Sequence, residues 1–285
     1  MNSALVWDMD PVMLQLGSYT LNWYSFFLLL GWFMGCIILS KLWIEGGNKP
    51  IGANIFFNYS LIGGFIGARL VHYIFYDFDI FLANPLKIFG LSGGLASHGG
   101  YLGIIISGWI FVKINGNKTF LWITDRITFP SILCGGFIRI GNFFNSEILG
   151  KPSDLPWAVI FKKVDSVPRH PVQIYEALGY LSISLSLYGI YRYYEKKPIE
   201  GRLLGLAFII AFSFRFLIEF FKENQSMISQ GMPLNMGQLL SIPFILAGIF
   251  LVSGLYSRFG CSLTGYEKTS TFENSDEKRK KNNQE

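Results

Sequence analysis

The sequence predicts an all-α integral membrane protein: a bundle of about seven transmembrane helices with a small external cap, its N-terminus outside and its C-terminus cytoplasmic. Three observations predict it. Of the 285 residues, 51% are hydrophobic and only 15% are charged, where a soluble domain is about one quarter charged. Apolar segments recur near the roughly 20-residue length that spans a bilayer. The basic residues between those segments fall mainly on one side of the chain's path, which sets an orientation.

The segments lie at 19–42, 52–76, 98–113, 120–145, 172–192, 203–221 and 236–256. An odd number of spans puts the termini on opposite sides. Connections on one side hold fourteen basic residues: Lys41, Lys49, Lys113, Lys118, Arg192, Lys196, Lys197, Arg202, Arg258, Lys268 and Lys278 to Lys281. Those on the other side hold six: Lys87, Lys151, Lys162, Lys163, Arg169 and Lys222. The richer side is expected to be cytoplasmic. Residues 1–260 thus form a seven-span membrane domain. Residues 261–285, polar and rich in Lys, Asn and Glu, form a cytoplasmic tail expected to be disordered. Met1 to Gly17 lacks a basic n-region and is expected to be retained rather than cleaved as a signal peptide.

The outer connections carry the irregular sequence. Residues 77–97 pass through Asp77, Asp79 and Pro85 to SGGLASHGG, too glycine-rich for a span and tolerable in a membrane only where buried in protein or lining a wet cavity. Residues 151–170 read as the cap, with a strand expected at Trp157 to Phe161. Cys36, Cys134 and Cys261 are scattered, with no CxxC pair. Neither a disulfide framework nor a zinc site is expected, nor catalysis by a cysteine of this chain.

Four arginines lie inside the spans: Arg69, Arg126, Arg139 and Arg215. A charge at the bilayer centre costs about 2.5–3.5 kcal/mol on insertion scales, so such a residue normally faces a protein interior or a wet cavity. Arg126, beside Asp125, has a local ion pair or interfacial snorkelling as its plain explanation. Arg69 follows Gly63, Gly64 and Gly67, small residues that let helices approach closely. His72, one turn later, reads as an interior hydrogen-bonded histidine.

The densest polar stretch is FIRIGNFFNSEILGK, residues 137–151. Continued as a helix, it puts Arg139, Asn142, Ser146 and Gly150 on one face, with Glu147 about 80° round. Either Glu147 neutralises Arg139 in a packing motif, or the planar fork of Arg139 receives a phosphate. Ser97 could cap a helix opened by His98-Gly99-Gly100, leaving the His98 imidazole near a helix N-terminus, where the neutral, proton-accepting form is favoured. Arg215 and Glu219 are one turn apart and could pair with each other. Arg169-His170-Pro171, followed by Gln173, Tyr175 and Glu176, opens the fifth span at the same outer level, with Glu176 expected to point inward.

No spacing here fits a metal site, a Ser/His/Asp order, a phosphate-binding glycine loop or a nucleic-acid patch. Two classes remain: an enzyme acting on a phospholipid head group, or a transporter of an anionic lipid or small anion. Polar groups gathered at one depth, an external cap and no visible inverted repeat favour the enzyme.

At these residues the chain resembles the bacterial prolipoprotein diacylglyceryl transferases. The family signature GRIGNFxNxExxGR is met by Arg139, Gly141, Asn142, Asn145, Glu147 and Gly150. Further similar blocks are WYS at Trp23 to Ser25, GARL at Gly67 to Leu70, SHGG at Ser97 to Gly100, RHPVQIYEA at Arg169 to Ala177, RFLIEFF at Arg215 to Phe221 and MGQLLSIP at Met236 to Pro243. The departures are Ile138 for a glycine, Lys151 for the last arginine, Ser25 for a glycine, and Ala211 where a tyrosine is usual.

The resemblance implies transfer of the diacylglyceryl group of phosphatidylglycerol to the lipobox cysteine thiol of a preprolipoprotein signal peptide, in a bacterial inner membrane; the count of basic residues puts the site toward the outer leaflet. The partners are then these two substrates and membrane lipids, with no cofactor, metal or nucleic acid. It makes His98, Arg139 and Arg215 the expected catalytic residues. Tyr24, Asn142, Glu147 and Gly150 join the two arginines in binding phosphatidylglycerol. Arg69, Gly99, Asn145, His170, Glu176 and Glu219 are expected to support them.

Overall fold

The computed structural model describes residues 4–17, 19–75, 77–89, 94, 96–115, 118–194, 199–223 and 233–255, with the side chains of Phe89, Ser97 and His98 excepted. The tail, Cys261 and the imidazole of His98 therefore lie outside the described residues. The chain divides into two compact units, residues 1–48 with 124–256, and residues 49–123 with 257–285.

Helices occupy all seven expected positions: α1 Trp23–Glu45, α2 Pro50–Phe75, α4 Ser97–Asn115, α5 Phe120–Phe144, α6 Val172–Tyr193, α7 Arg202–Ile218 and α8 Met236–Ser253, with a short α3 at Phe78–Ala83. Among the described residues, five helices are long and apolar enough to cross a membrane: Trp23–Glu45, Pro50–Phe75, Phe120–Phe144, Arg202–Phe221 and Met236–Ser253. The apolar run Gly99–Asn115 is shorter. Helix α6 has 22 residues but turns Gln173, Glu176 and Ser184 into the protein, which lowers its hydropathy. Large apolar side chains such as Leu29, Phe33, Leu61, Ile105, Leu185 and Leu246 are exposed, the surface expected of helices solvated by acyl chains. The protein is an all-α integral membrane protein with small β additions.

In the second unit α2 and α4 meet through glycines. A Cβ added at Gly67 or Gly103 would collide with the facing backbone, and one at Gly99 would collide with the Gly67 carbonyl and Val71. This is the close approach read from Gly63, Gly64 and Gly67. The stretch 77–89 is more regular than expected, holding α3 and a 3-10 turn at Pro85–Phe89. Arg69 explains this order. Its guanidinium donates to the carbonyls of Lys87 at 2.8 Å, Ile88 at 3.0 Å and Gly94 at 3.1 Å, and to the Tyr73 hydroxyl at 3.2 Å. Carbonyls that short turns leave unsatisfied are thereby answered by one buried cation. His72 Nε2 lies 3.0 Å from Asp77 Oδ2, a hydrogen-bonded histidine as expected.

In the first unit the chain begins with strands β1 Leu5–Trp7, β2 Val12–Leu16 and β3 Tyr19–Asn22. Residues 19–22 were expected to start the first span; instead Leu16 pairs with Tyr19 and Leu14 with Leu21 across a hairpin. Tyr-Thr-Leu suits an extended edge, and Gly17 takes the positive φ of 61° that the turn requires. The cap holds β4 Val159–Phe161, inside the expected strand, and β5 Pro168–Arg169. Strand β1 joins β4 in parallel, and β5 joins it antiparallel. Phe143, Val159 and Phe161 form its core, with the Trp7 ring tilted against Phe143 at 4.5 Å.

Leu42 of α1, Phe129 of α5, Ile183, Leu187 and Tyr191 of α6, and Leu203 and Ala207 of α7 form the larger helical core. Asp125 is not reserved for Arg126. Its carboxylate accepts the Gly201 N–H at 2.7 Å and the Leu204 N–H at 2.8 Å, capping α7 from another helix, which satisfies two terminal donors and complements the helix dipole.

Candidate functional site

Helix α5 stops at Phe144, so the signature is not one continuous helical face. Ser146 and Ile148 both take φ of 55°, a left-handed conformation that a β-branched residue adopts only under constraint. Glu147 and Gly150 consequently project from a loop rather than from the face shared by Arg139 and Asn142. The turn nevertheless returns Glu147 to that face. Asn142 Nδ2 donates to Glu147 Oε2 at 3.0 Å, and Asn145 Nδ2 to Oε1 at 3.2 Å. Gln173 of α6 fixes the loop backbone by donating to the Glu147 carbonyl at 2.6 Å.

Arg139 pairs with Glu176, not with Glu147. Its Nε is 3.1 Å from Glu176 Oε2, and its Nη1 donates to Asn142 Oδ1 at 3.1 Å. Glu176 is fully buried on α6, the inward direction expected of it. Glu147 instead accepts from the amides of Asn142 and Asn145, one on each oxygen.

The second arginine reaches the same carboxylate system. Arg215 Nη2 is 3.6 Å from Glu219 Oε1, the pairing that a one-turn separation allowed, though not a self-contained one. A residue read from sequence only as an outer-loop cation joins the two pairs. Lys222 Nζ donates to Glu176 Oε1 at 3.0 Å and to Glu219 Oε1 at 3.2 Å. Asn235, which caps α8 in a reciprocal pair with Gln238, donates its amide to Glu219 Oε2 at 3.2 Å. The sequence signal for Lys222 was its spacing three residues after Glu219, where a chain leaving a helix can fold its cation back. Asn235 carried only a cap signal.

The site is layered by exposure. Side chains of Glu176, Lys222 and Glu219 are 0%, 7% and 10% exposed, while those of Arg139 and Arg215 are 16% and 31% exposed. Two partly exposed arginine side chains thus stand on a buried floor of two carboxylates and an ammonium. Buried charges of this kind persist only when paired. An anion approaching the arginines meets forks suited to phosphate oxygens. Tyr180 of α6 lies within electrostatic reach of Glu176, Arg139 and Arg215. Ala211, at the usual tyrosine position, packs against the same core cluster as Tyr180.

The remaining predicted residues lie around this cluster or in the second unit. Tyr24 opens α1, and a Cβ at Gly141 would lie 2.9 Å from its Cα, so Gly141 brings α1 against the signature helix. At Gly150 an added Cβ would collide with the His170 carbonyl; the bridge between Gly150 and Lys222 runs beside it. His170 packs on Phe221 at 5.3 Å and its Nδ1 is 3.4 Å from the Tyr175 hydroxyl. Arg169 latches the cap, donating to Asp165 Oδ2 at 2.6 Å, Glu223 Oε2 at 3.0 Å and the Gly150 carbonyl at 3.2 Å. Arg69 and Gly99 belong to the second unit, the first donating to the carbonyls of Lys87, Ile88 and Gly94 and the second forming a helix contact.

A family model described as prolipoprotein diacylglyceryl transferase matches residues 11–253 of this chain. Similar relatives include the phosphatidylglycerol–prolipoprotein diacylglyceryl transferase of Tolumonas auensis, 40% identical over 249 residues covering 87% of this chain and 96% of the relative. The protein of the same description from Chloroherpeton thalassium is 42% identical over 252 residues, covering 88% and 94%. That from Bacteroides fragilis is 37% identical over 271 residues, covering 88% and 96%.

Proposed function

The chain belongs to the prolipoprotein diacylglyceryl transferase family, and from that premise we propose that the arginine cluster of its first unit binds the phosphate of phosphatidylglycerol and assists its departure. The protein is an enzyme that transfers the diacylglyceryl group of phosphatidylglycerol to a prolipoprotein, the first step of lipoprotein maturation. The acceptor in our reading is the lipobox cysteine of the substrate's signal peptide. Its sulfur bonds to the terminal carbon of the diacylglyceryl group, the bond from that carbon to the phosphate oxygen breaks, and the electron pair leaves with glycerol phosphate.

One observation carries the site assignment: Arg139 and Arg215, from α5 and α7, rest on one buried Glu176–Lys222–Glu219 system and both side chains stay partly exposed. A phosphate diester carries one negative charge and becomes more negative as it leaves. Preorganised N–H donors aimed at it favour the transition state over the ground state. Asn142 and Glu147 orient the head group, and Tyr24 hydrogen-bonds it. His98 enters the reading from the sequence alone, as acceptor of the thiol proton. The basic-residue bias supports an N-terminus outside, a site toward the outer leaflet of the inner membrane, and a membrane domain of residues 1–260 followed by a cytoplasmic tail.

The test is purified protein with phosphatidylglycerol and a lipobox peptide. A thioether-linked diacylglyceryl peptide is expected, and its yield should collapse in Arg139→Ala. Anion flux into liposomes without that product would replace the enzyme reading by the transporter.

A further inference from the structure

Resting on the reading that Arg139 and Arg215 hold the lipid phosphate, we propose that Lys222 is a positioning residue for both arginines: by occupying Glu176 and Glu219 it keeps those carboxylates from closing on the guanidinium groups the phosphate must reach. An arginine beside a free carboxylate tends to form two parallel N–H to oxygen bonds, the strongest arrangement open to it. Neither arginine does so here. Lys222 Nζ holds Glu176 Oε1 at 3.0 Å, and Arg139 meets the other oxygen, Oε2, through Nε at 3.1 Å. At Glu219, Lys222 takes Oε1 at 3.2 Å and Asn235 takes Oε2 at 3.2 Å, while Arg215 stands back at 3.6 Å from Oε1. The ammonium is a compact charge without a planar fork, so it can serve both carboxylates from one point.

The backbone places Lys222 independently of its side chain. It follows the 3-10 turn Glu219–Phe221 and bridges to Gly150. The Lys151 N–H donates to the Phe221 carbonyl at 2.8 Å, and the Glu223 N–H to the Leu149 carbonyl at 3.1 Å. These bonds tie the lysine to the loop that carries Glu147 and remain when only the ammonium is removed. Taking away Lys222 leaves two buried carboxylates facing two arginines. Each carboxylate then competes with the substrate phosphate for the same N–H donors.

The experiment is steady-state kinetics of thioether formation with varied phosphatidylglycerol. Lys222→Met should raise KM for the lipid by about tenfold, the factor carried by one lost charge-assisted contact, with a smaller change in kcat. Lys222→Arg, keeping the charge, should recover most of that loss. The decisive variant is Lys222→Met combined with Glu176→Gln: removing the carboxylate that closes on Arg139 should bring KM back toward the wild-type value. This double variant also removes one charge of each sign, so it remains informative should Lys222→Met alone fail to fold. An unchanged KM in Lys222→Met, or a double variant with a higher KM than either single one, overturns the proposal. A wild-type protein that forms no thioether product overturns instead the functional reading on which it rests.

Discussion

Arg139 Nε lies 3.1 Å from Glu176 Oε2 on a neighbouring helix, although Glu147 is far closer in sequence. The choice of partner has a chemical consequence. Glu176 is buried and holds the guanidinium from beneath, whereas Glu147 remains at the rim on the amides of Asn142 and Asn145. A cation fixed from below presents its remaining donors in a set direction, the condition for stabilising charge that develops on a leaving group.

Arg139→Lys keeps the charge and loses the fork. Only one donor group then remains to serve both Glu176 and Asn142, and a phosphate gains a point charge in place of a planar face. Removal of one preorganised donor at a developing anion typically costs about 10²–10³ in kcat. Arg139→Lys is expected to fall in that range, with folded protein and melting temperature close to wild type. Lipidation of a lipobox peptide, followed by mass, measures it; a loss smaller than about threefold would show that charge alone suffices.

Much of this arrangement was legible in the sequence because spans are written in long apolar runs. Helices stand at all seven expected positions, five of them among the described residues long and apolar enough to cross a membrane, and Glu176 points inward as a carboxylate opening an apolar helix should. The errors have local physical causes. The helical-face argument carried Glu147 and Gly150 on α5, but Ser146 and Ile148 adopt left-handed backbone that no periodicity announces. Residues 19–22 are apolar enough to extend a span and also alternate well enough to pair as a strand. Lys222 looked like a loop cation because burial of a lysine depends on carboxylates from α6 and from its own turn, and that meeting is a tertiary event.

Gly99→Val tests the glycine contact of the second unit. A side chain there must displace the Gly67 carbonyl and Val71, and overpacking a close contact costs about 1–3 kcal/mol. A lowered melting temperature in detergent is expected, with Gly99→Ala intermediate. Equal stability of all three proteins would mean that α2 and α4 can separate without penalty.

The cap carries an acid-sensitive latch. The Arg169 guanidinium beside Asp165 holds its carboxyl below the usual carboxylate range, chiefly through their hydrogen bond. A carboxyl whose folded value is depressed contributes stability above its unfolded value, about 3.9 for Asp, and loses that contribution as the pH falls through the folded value. Asp165→Asn should therefore melt below wild type near neutrality, and the gap should narrow as the pH falls below about 4. Thermal melts of both proteins across this window give the answer; a gap independent of pH would assign Asp165 a role other than its charge.

The proton of the acceptor thiol separates two versions of the chemistry. A free thiol has a pKa near 8.5, and nearby cations lower it, so an arginine-rich site could supply thiolate without a dedicated base. If His98 accepts the proton, His98→Gln should reduce transfer by about 10²–10⁴, the usual worth of a positioned acid or base. The loss should shrink as the pH rises, because solution then provides the thiolate. If the arginines suffice, His98→Gln retains most activity while Arg139→Ala loses it, and raising the pH changes the ratio of His98→Gln to wild type little. Rates of thioether formation for the three proteins between pH 6 and 9 distinguish the two. We expect the first pattern, since a deprotonated sulfur is needed at the carbon at the moment the phosphate departs, and a base that takes the proton there need not hold an anion beforehand in a low-dielectric membrane site.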